Sequence, residues 1–181
     1  LAFTLIFFVI FFVSERINEH RRGGKAHEEM DHFRLHPQEE ISASTVGIRP
    51  GNTLCLVRDY NTLAHVNKAL EMTHTGKKDL VMMTVRVLTG PDAGYANIPH
   101  EQLFTTYEQK LFSKVVALAE KVGKHVNLLV VPSSDVFQAI ARSALQLSSS
   151  TIIAGASSVM TPAEQALRLG QAWDQLPEKP K

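Results

Sequence analysis

The hydrophobic pattern divides the chain into three stretches. Residues Leu1 to Val13 are apolar except for Thr4, and a polar segment with paired glycines, charges and histidines follows from Arg21 to about Gly51. From Asn52 onward, short runs rich in apolar and β-branched residues alternate with longer runs of helical periodicity. This alternation is typical of an α/β domain in which crossover helices connect the strands of an open parallel sheet.

Four apolar runs in the third stretch predict four strands. The first is nearly continuous in apolar character, as a strand covered on both faces should be. The predicted strands are Thr53–Arg58, Asp79–Val87, Val126–Val131 and Thr151–Gly155. The tail after Leu176 contains Pro177 and Pro180, so we expect no fifth strand there.

Four helices are predicted between and after these strands. Asp59 to Thr62 supply cap-type residues for the first helix, and we expect Tyr107 and Val122 in the buried stripe of the second. Asp135 should cap the third helix, and Thr161 with Pro162 and Glu164 should start the fourth. The predicted helices cover Leu63–Thr73, about Pro99–Lys121, Val136–Gln146 and about Thr161–Gln175.

The opening apolar run predicts the distal end of a membrane-spanning helix. Its thirteen residues cover about two thirds of the roughly 30 Å of bilayer hydrocarbon, so we expect a truncated N-terminus and further transmembrane helices upstream. A signal peptide would need an initiator Met, a basic leader and a cleavage site, whereas a buried globular helix would need a polar face. Neither pattern is present in Leu1 to Val13, which we therefore expect to contact lipid.

Basic residues follow the apolar run and predict its orientation. Arg16, Arg21, Arg22 and Lys25 lie where an excess of Lys and Arg marks the cytoplasmic side. The sequence thus predicts a cell-membrane protein that is cytoplasmic after about Ser14. The predicted organisation is the end of a transmembrane helix over 1–20, a linker over 21–51, the α/β domain over 52–176 and a tail over 177–181.

Overall charge gives no support to nucleic acid binding, and the cysteine content gives none to a disulfide-bonded fold. Nineteen basic and eighteen acidic residues give a net charge of +1, which provides no general field for nucleic acid, and we expect no DNA or RNA partner. The single cysteine, Cys55, cannot form an internal disulfide and lies in an apolar run, so we expect a buried, unpaired thiol.

Histidines in the polar segment raise the question of a metal site. His32 and His36 have the i, i+4 spacing of ligands on one helical face, and His27 lies nearby. Pro37 biases His36 away from helix, however, and no further ligand has matching spacing. We interpret the segment as a solvated linker and expect no metal.

The run from Val126 to Ser157 combines a strand, a Pro-Ser-Ser-Asp helix start, an alanine-rich helix and the segment Thr-Ile-Ile-Ala-Gly-Ala-Ser. This order resembles the second half of the universal stress protein fold, and the resemblance extends over about Asn52 to Ala172. It implies a parallel sheet ordered 3-2-1-4-5, here apparently without the fifth strand. Where a member of that family binds a nucleotide, the site lies where the strand order reverses.

The same resemblance implies a candidate nucleotide groove. ATP-binding members carry Gly-x-x-Gly followed about ten residues later by Gly-Ser or Gly-Thr, whereas this chain has Gly155-Ala156-Ser157-Ser158 and no second motif, since Gln171 follows Gly170. Asp59 occupies the position of an acidic residue that contacts the nucleoside. The candidate groove residues are Asp59, Gly155, Ser157 and Ser158, but the reduced glycine motif argues against adenine nucleotide binding as the main role.

The final helix carries a second resemblance. Glu164-Gln165-Ala166, Leu169-Gly170 and Ala172-Trp173 are similar to a pattern in permeases of the amino acid-polyamine-organocation superfamily whose last membrane helix enters a universal stress protein-like cytoplasmic domain. This resemblance implies a regulatory or assembly domain of an amino acid permease, with pairing to a second copy possible. The alternative is a membrane-anchored or soluble universal stress protein-like nucleotide-binding protein.

Two neighbouring serines after the third predicted strand raise the question of a catalytic site. Ser133, Ser134 and Asp135 could be combined with His125 or His100 as a base, but no Gly-x-Ser-x-Gly elbow surrounds a serine. Helix capping explains Ser133, Ser134 and Asp135 more simply. We therefore expect no enzymatic activity.

Overall fold

A computed structural model describes residues 41–88 and 105–177, and in addition the backbone of residues 33–35. The described strands are β1 (Phe33–Leu35), β2 (Thr53–Leu56), β3 (Leu80–Val87), β4 (Asn127–Ser133) and β5 (Thr151–Ala154). The described helices are α1 (Ala43–Val46), α2 (Ala64–Met72), α3 (Thr106–Lys121), α4 (Val136–Gln146) and α5 (Pro162–Asp174).

The strands form one sheet in the order β1-β4-β3-β2-β5. The pairs β2–β3, β2–β5 and β3–β4 are all parallel, and Cys55 is in register with Met82 on one side and Ile153 on the other. The predicted α/β class, with a parallel sheet and connecting helices, is therefore confirmed. Within the described residues no strand follows β5, which lies at the edge of the sheet.

Apolar residues on both faces of the sheet hold the layers together. On one face, α4 packs on the three inner strands, and Trp173 of α5 also contacts this core. Side chains alternate along each strand, so Cys55 and Met82 point to the opposite face, where α2 and α3 supply buried residues. Both faces are thus covered, which explains why the strands are almost continuously apolar.

The core begins before residue 52, the predicted start of the α/β domain. Ile41 and Ile48 are buried in the same cluster as α4, and Ser42 caps the short helix α1 between them. These two isoleucines lie seven residues apart in a polar segment, without a repeating apolar pattern that would have indicated folded structure. The prediction of a linker over 21–51 is therefore wrong for part of this segment, which contributes β1 to the sheet and two isoleucines to the core.

The helix starts confirm some predictions and correct others. Asp135 accepts hydrogen bonds from the backbone of Phe137 and Gln138, and Thr161 with Glu164 forms the predicted capping box of α5. The prediction for α2 is wrong: its N-cap is Leu63, without a side-chain cap. Asp59 instead accepts a hydrogen bond from the Asn61 amide in the turn after β2.

Two residues expected in the buried stripe of α3 are exposed. Tyr107 is 47% exposed because it lies in the first turn and its hydroxyl donates to the Arg58 carbonyl at 2.8 Å. Val122 is 53% exposed because it follows the last helical residue, where Gly123 turns the chain with a φ of 63°. The predicted stripe is correct at Leu111 and Val115, which are buried.

The membrane prediction falls on residues that are not described. Within the described ranges, no helix has the length and apolar character needed to cross a bilayer. Leu1 to Val13, the histidines of the polar segment and the end of the tail lie outside those ranges. In the described part of the chain, no group of His, Cys, Asp and Glu side chains is arranged to hold a metal ion.

Candidate functional site

The strand order reverses between β2 and β5. From β2 the chain proceeds through α2 to β3 on one side, whereas β5 is reached from β4 through α4 on the other. In open α/β sheets, ligands bind beyond the carboxyl ends of the strands that flank such a reversal. The loops that follow Leu56 and Ala154 therefore flank the expected position of a ligand, and we call the space between them the switch-point crevice.

The side chain of His65 lies in the switch-point crevice. Its Nε2 is 2.8 Å from the carbonyl oxygen of Leu56, the last residue of β2, so this nitrogen carries the proton of a hydrogen bond. On the other side, Gly155 follows β5, and a Cβ built on it would lie 2.7 Å from the imidazole ring. The absence of a side chain at Gly155 thus leaves the space that the His65 imidazole occupies.

The predicted groove residues lie on the two loops of this crevice. Asp59 is half-buried after β2, and Gly155, Ser157 and Ser158 follow β5. Asp59 accepts from the Asn61 amide at 2.8 Å, and Ser157 Oγ accepts from the Val159 amide at 3.2 Å. Their polar atoms therefore shape the loops, and nucleotide binding by them remains a prediction.

A second concave surface lies beside the loop after β2. It has a volume of about 600 Å³ and is lined by Tyr60, Thr106, Gln109, Lys110, Ser113 and Lys114. All but Tyr60 belong to one face of α3, since they recur at helical spacing. We call this surface the Tyr60 groove.

Aromatic and cationic side chains meet in the Tyr60 groove. The rings of Tyr60 and Tyr107 are 5.3 Å apart between centroids and inclined at 47°. The Lys114 ammonium lies 4.8 Å from the centre of the Tyr60 ring, within cation–π range, and 3.5 Å from the Tyr60 carbonyl oxygen. Burial, followed by the nearby charge of Asp59, raises the pKa of Tyr107 and keeps its hydroxyl protonated as a donor to Arg58.

Arg86 forms a charged contact between the sheet and α3. It lies on β3, an inner strand, and its guanidinium forms an ion pair with Glu108 of α3, with Nε at 2.8 Å from Oε1. Glu108 also accepts from the Thr105 amide and completes the capping box at the start of α3. Both side chains are largely buried, so this pair joins the helix to the sheet and faces neither the groove nor a sheet edge.

The residues considered as catalytic have structural partners. Ser133 Oγ donates to the Asp135 carbonyl, and the Asp135 carboxylate caps α4. His100 lies outside the described residues. Cys55 is fully buried, and burial raises its pKa to about 12, so its thiol does not ionise near neutral pH.

Sequence reasoning did not identify His65, Tyr60 or Lys114 as site residues. His65 lies in the first turn of α2, and only the return of β5 beside β2 brings Gly155 against it. Tyr60 and Lys114 are 54 residues apart in sequence, and no local pattern links them. A signal was present in Lys110 and Lys114, two like charges at i, i+4 on one helix face.

Comparison of the chain with models of protein families, with curated proteins and with solved structures gives no match. Its function is therefore inferred from its own residues.

Proposed function

We propose that this chain is the C-terminal part of a membrane amino acid permease, and that its α/β domain has a regulatory or assembly role in the cytoplasm. The observation that carries the regulatory part is the His65 side chain in the switch-point crevice, held by the Leu56 carbonyl and accommodated by Gly155. A crevice that contains a protein side chain is poorly suited to a phosphate chain. The strand order β4-β3-β2-β5 supports a universal stress protein-like origin for the domain.

The chemistry of the described residues supports a non-catalytic role. Phosphate-binding loops need glycines so that backbone amides can approach the ligand closely. Here the only glycine of the loop after β5 is Gly155, and its free space is taken by the imidazole. The polar groups that could act as nucleophile or acid, Ser133 and Asp135, form a helix start.

The membrane part of the proposal is supported by the sequence. The apolar run Leu1 to Val13 is followed by basic residues on the side where the α/β domain lies, as expected for a last transmembrane helix that enters the cytoplasm. The Glu164 to Trp173 pattern of α5 is similar to that of permeases with such a domain.

Membrane insertion is tested with the gene product that contains this segment, carrying a C-terminal reporter, because thirteen apolar residues alone are too short to cross the bilayer. We expect the wild-type protein to be fluorescent with green fluorescent protein and inactive with alkaline phosphatase. Phe8→Arg with Ile10→Arg should keep the last helix out of the bilayer and reverse both signals, because a charge in the bilayer centre costs about 3 kcal/mol per residue. His20→Arg in the polar segment is the matched control and should change neither signal. An active phosphatase fusion of the wild-type protein would contradict the proposal.

The permease activity is tested on the gene product that contains this segment. Cells that express it are given each radiolabelled amino acid, and uptake is compared with that of a variant lacking residues 41–177. We expect uptake of at least one amino acid by the wild-type protein, and a changed rate or membrane level in the deletion variant. Uptake equal to that of untransformed cells for every amino acid would overturn the proposal.

Nucleotide binding remains the second candidate, because Asp59 and Gly155 lie on the two loops at the carboxyl end of β2 and β5. Calorimetric titration of the full chain with ATP and with AMP separates the two functions. The regulatory proposal predicts that neither nucleotide gives saturable heat that depends on Asp59. Saturable heat that is lost in Asp59→Asn would favour the nucleotide-binding protein.

A further inference from the structure

We propose that the Tyr60 groove binds a phosphate monoester, with Lys110 and Lys114 as its cationic contacts. The groove lies on the outer face of α3, and its lining does not include His65 or Gly155 of the switch-point crevice. This binding site is independent of the membrane anchor and of amino acid transport. It therefore remains testable whatever the outcome of the uptake experiment.

The charge of the groove lining selects an anion. Lys110 and Lys114 both line the groove, and its other lining residues on α3 are Thr106, Gln109 and Ser113, which are neutral. None of the described residues that line it carries a carboxylate, although the whole chain has nearly equal numbers of acidic and basic residues. The Lys110 side chain forms no hydrogen bond or ion pair with any other described residue, so its ammonium is available to a ligand.

The spacing of the two lysines is unfavourable for the isolated helix. Like charges at i, i+4 destabilise a helix surface, and no described acidic side chain pairs with either lysine. A pair of like charges that no acidic side chain compensates in the folded chain is typical of a functional surface. A dianionic phosphate between the two ammonium groups would supply that compensation.

Lys114 is held in place before any ligand arrives. Its ammonium lies over the Tyr60 ring and near the Tyr60 carbonyl, and Tyr60 packs against Tyr107. Tyr107 is itself fixed by its hydrogen bond to the Arg58 carbonyl. An ordered cation loses less side-chain entropy on binding than a free lysine does. Lys114 is therefore the contact on which affinity should depend most.

The position and size of the groove fit a small phosphorylated molecule. Thr106 is the first residue of α3, so the positive end of the helix dipole lies at one end of the groove. A volume of about 600 Å³ lies within the range of small-molecule sites. Neutral hydroxyl and amide groups of Thr106, Gln109 and Ser113 can face the uncharged part of a ligand such as a sugar phosphate.

The test uses the full chain in detergent and calorimetric titration with glucose 6-phosphate, with glucose as the uncharged control. We expect saturable binding of glucose 6-phosphate only. Lys114→Gln and Lys110→Gln should each weaken it about tenfold, the usual effect of losing one charge-assisted hydrogen bond. Lys121→Gln, an exposed lysine in the last turn of α3, is the matched control and should leave the affinity unchanged.

Two further variants test the role of the Tyr60 ring. Tyr60→Phe keeps the aromatic face under Lys114 and should bind within twofold of wild type, on the order of the experimental scatter. Tyr60→Leu removes that face and should weaken binding several-fold, roughly as expected for an exposed cation–π contact. Equal affinities for Tyr60→Leu and wild type would contradict the positioning of Lys114 by Tyr60.

A vesicle experiment distinguishes a soluble phosphate ester from a lipid headgroup. The full chain is mixed with phosphatidylcholine vesicles, with or without phosphatidic acid, and the fraction that cosediments is compared. If phosphatidic acid increases cosedimentation in wild type but not in Lys110→Gln or Lys114→Gln, the groove takes the headgroup. If neither glucose 6-phosphate nor phosphatidic acid gives binding that depends on these lysines, the proposal is overturned.

Discussion

The two ends of the parallel sheet use their polar side chains differently. At the amino end, Asn52 is fully buried and donates to the carbonyls of Arg49 and Leu147, while its side-chain oxygen accepts from Ser149. Nearby, the Arg49 guanidinium forms a two-pronged ion pair with Asp79, which directly precedes β3. The side chains of Asn52, Arg49 and Asp79 are thus all hydrogen-bonded within the protein.

At the carboxyl end of the sheet, side-chain hydrogen-bond donors remain available to a ligand. His65 makes one hydrogen bond to a strand carbonyl, and Lys110 and Lys114 face the Tyr60 groove. The comparison teaches that the amino end fixes the strands in register, while the carboxyl end carries the groups that can recognise a ligand. Substitutions at the amino end should therefore affect mainly stability.

The largest effect is expected for Asn52→Ala. It removes three hydrogen bonds and leaves buried partners such as the Leu147 carbonyl without a donor, which should lower the free energy of unfolding by about 3 kcal/mol. Urea denaturation measures the change. The control is Asn61→Ala, whose exposed side chain should contribute less than about 0.5 kcal/mol. Similar losses for both variants would remove the distinction between the two ends.

Gly155→Ala tests the carboxyl end. A Cβ at residue 155 would lie 2.7 Å from the His65 ring, so the imidazole must move and its hydrogen bond to Leu56 should break. Overpacking of this kind should cost about 2 kcal/mol. In the His65→Ala background the same substitution should be nearly neutral, which a double-mutant cycle by chemical denaturation measures. Additive effects of the two changes would show that His65 does not occupy this space.

A smaller, pH-dependent effect is expected for Asp79→Asn. The hydrogen bond from the Arg49 side chain lowers the pKa of Asp79, so its pKa is lower in the folded than in the unfolded chain. The contribution to stability is then fully present above the ordinary carboxyl pKa of about 4 and is lost as the pH falls through the lowered value.

Stability measured across this acid range checks the sign for Asp79. The wild-type chain should be more stable than Asp79→Asn at neutral pH, and the two should converge at acid pH. A difference that grows as the pH falls would contradict the assigned ion pair.

The smallest effect concerns Cys55, which lies on β2 between the two ends. Its buried thiol has a pKa of about 12, so we expect a disulfide reagent to label it slowly in the folded chain and rapidly after denaturation. The rate of labelling at neutral pH measures this directly. Fast labelling of the native chain would contradict the burial of this thiol in the centre of the sheet.

Local patterns in the sequence predicted much of the sheet. The apolar runs that form β2 to β5 and the caps of α4 and α5 are encoded by neighbouring residues, and each agrees with the structure. Ile41 and Ile48 escaped this reasoning because two isolated apolar residues in a polar segment form no periodic pattern. Their burial depends on tertiary packing against α4.

The candidate sites were less predictable than the fold. Asp59 and Gly155 could be placed at the carboxyl end of the sheet from the expected strand order, but the neighbour of Gly155 could not. His65 lies against Gly155, and Lys114 lies over the Tyr60 ring, although the members of each pair are far apart in sequence. Such contacts depend on the rotation of each helix about its own axis, which an apolar stripe specifies only coarsely.

Glu108 has a mechanical consequence for the Tyr60 groove. The same carboxylate closes the first turn of α3 and holds Arg86 of β3, so the start of the helix cannot slide without breaking both attachments. Just past the opposite end of α3, the Lys124 ammonium donates to the carbonyls of Leu70 and Thr73 at the end of α2. The helix is therefore anchored at both ends, and a ligand in the Tyr60 groove would meet a backbone that is already fixed in position.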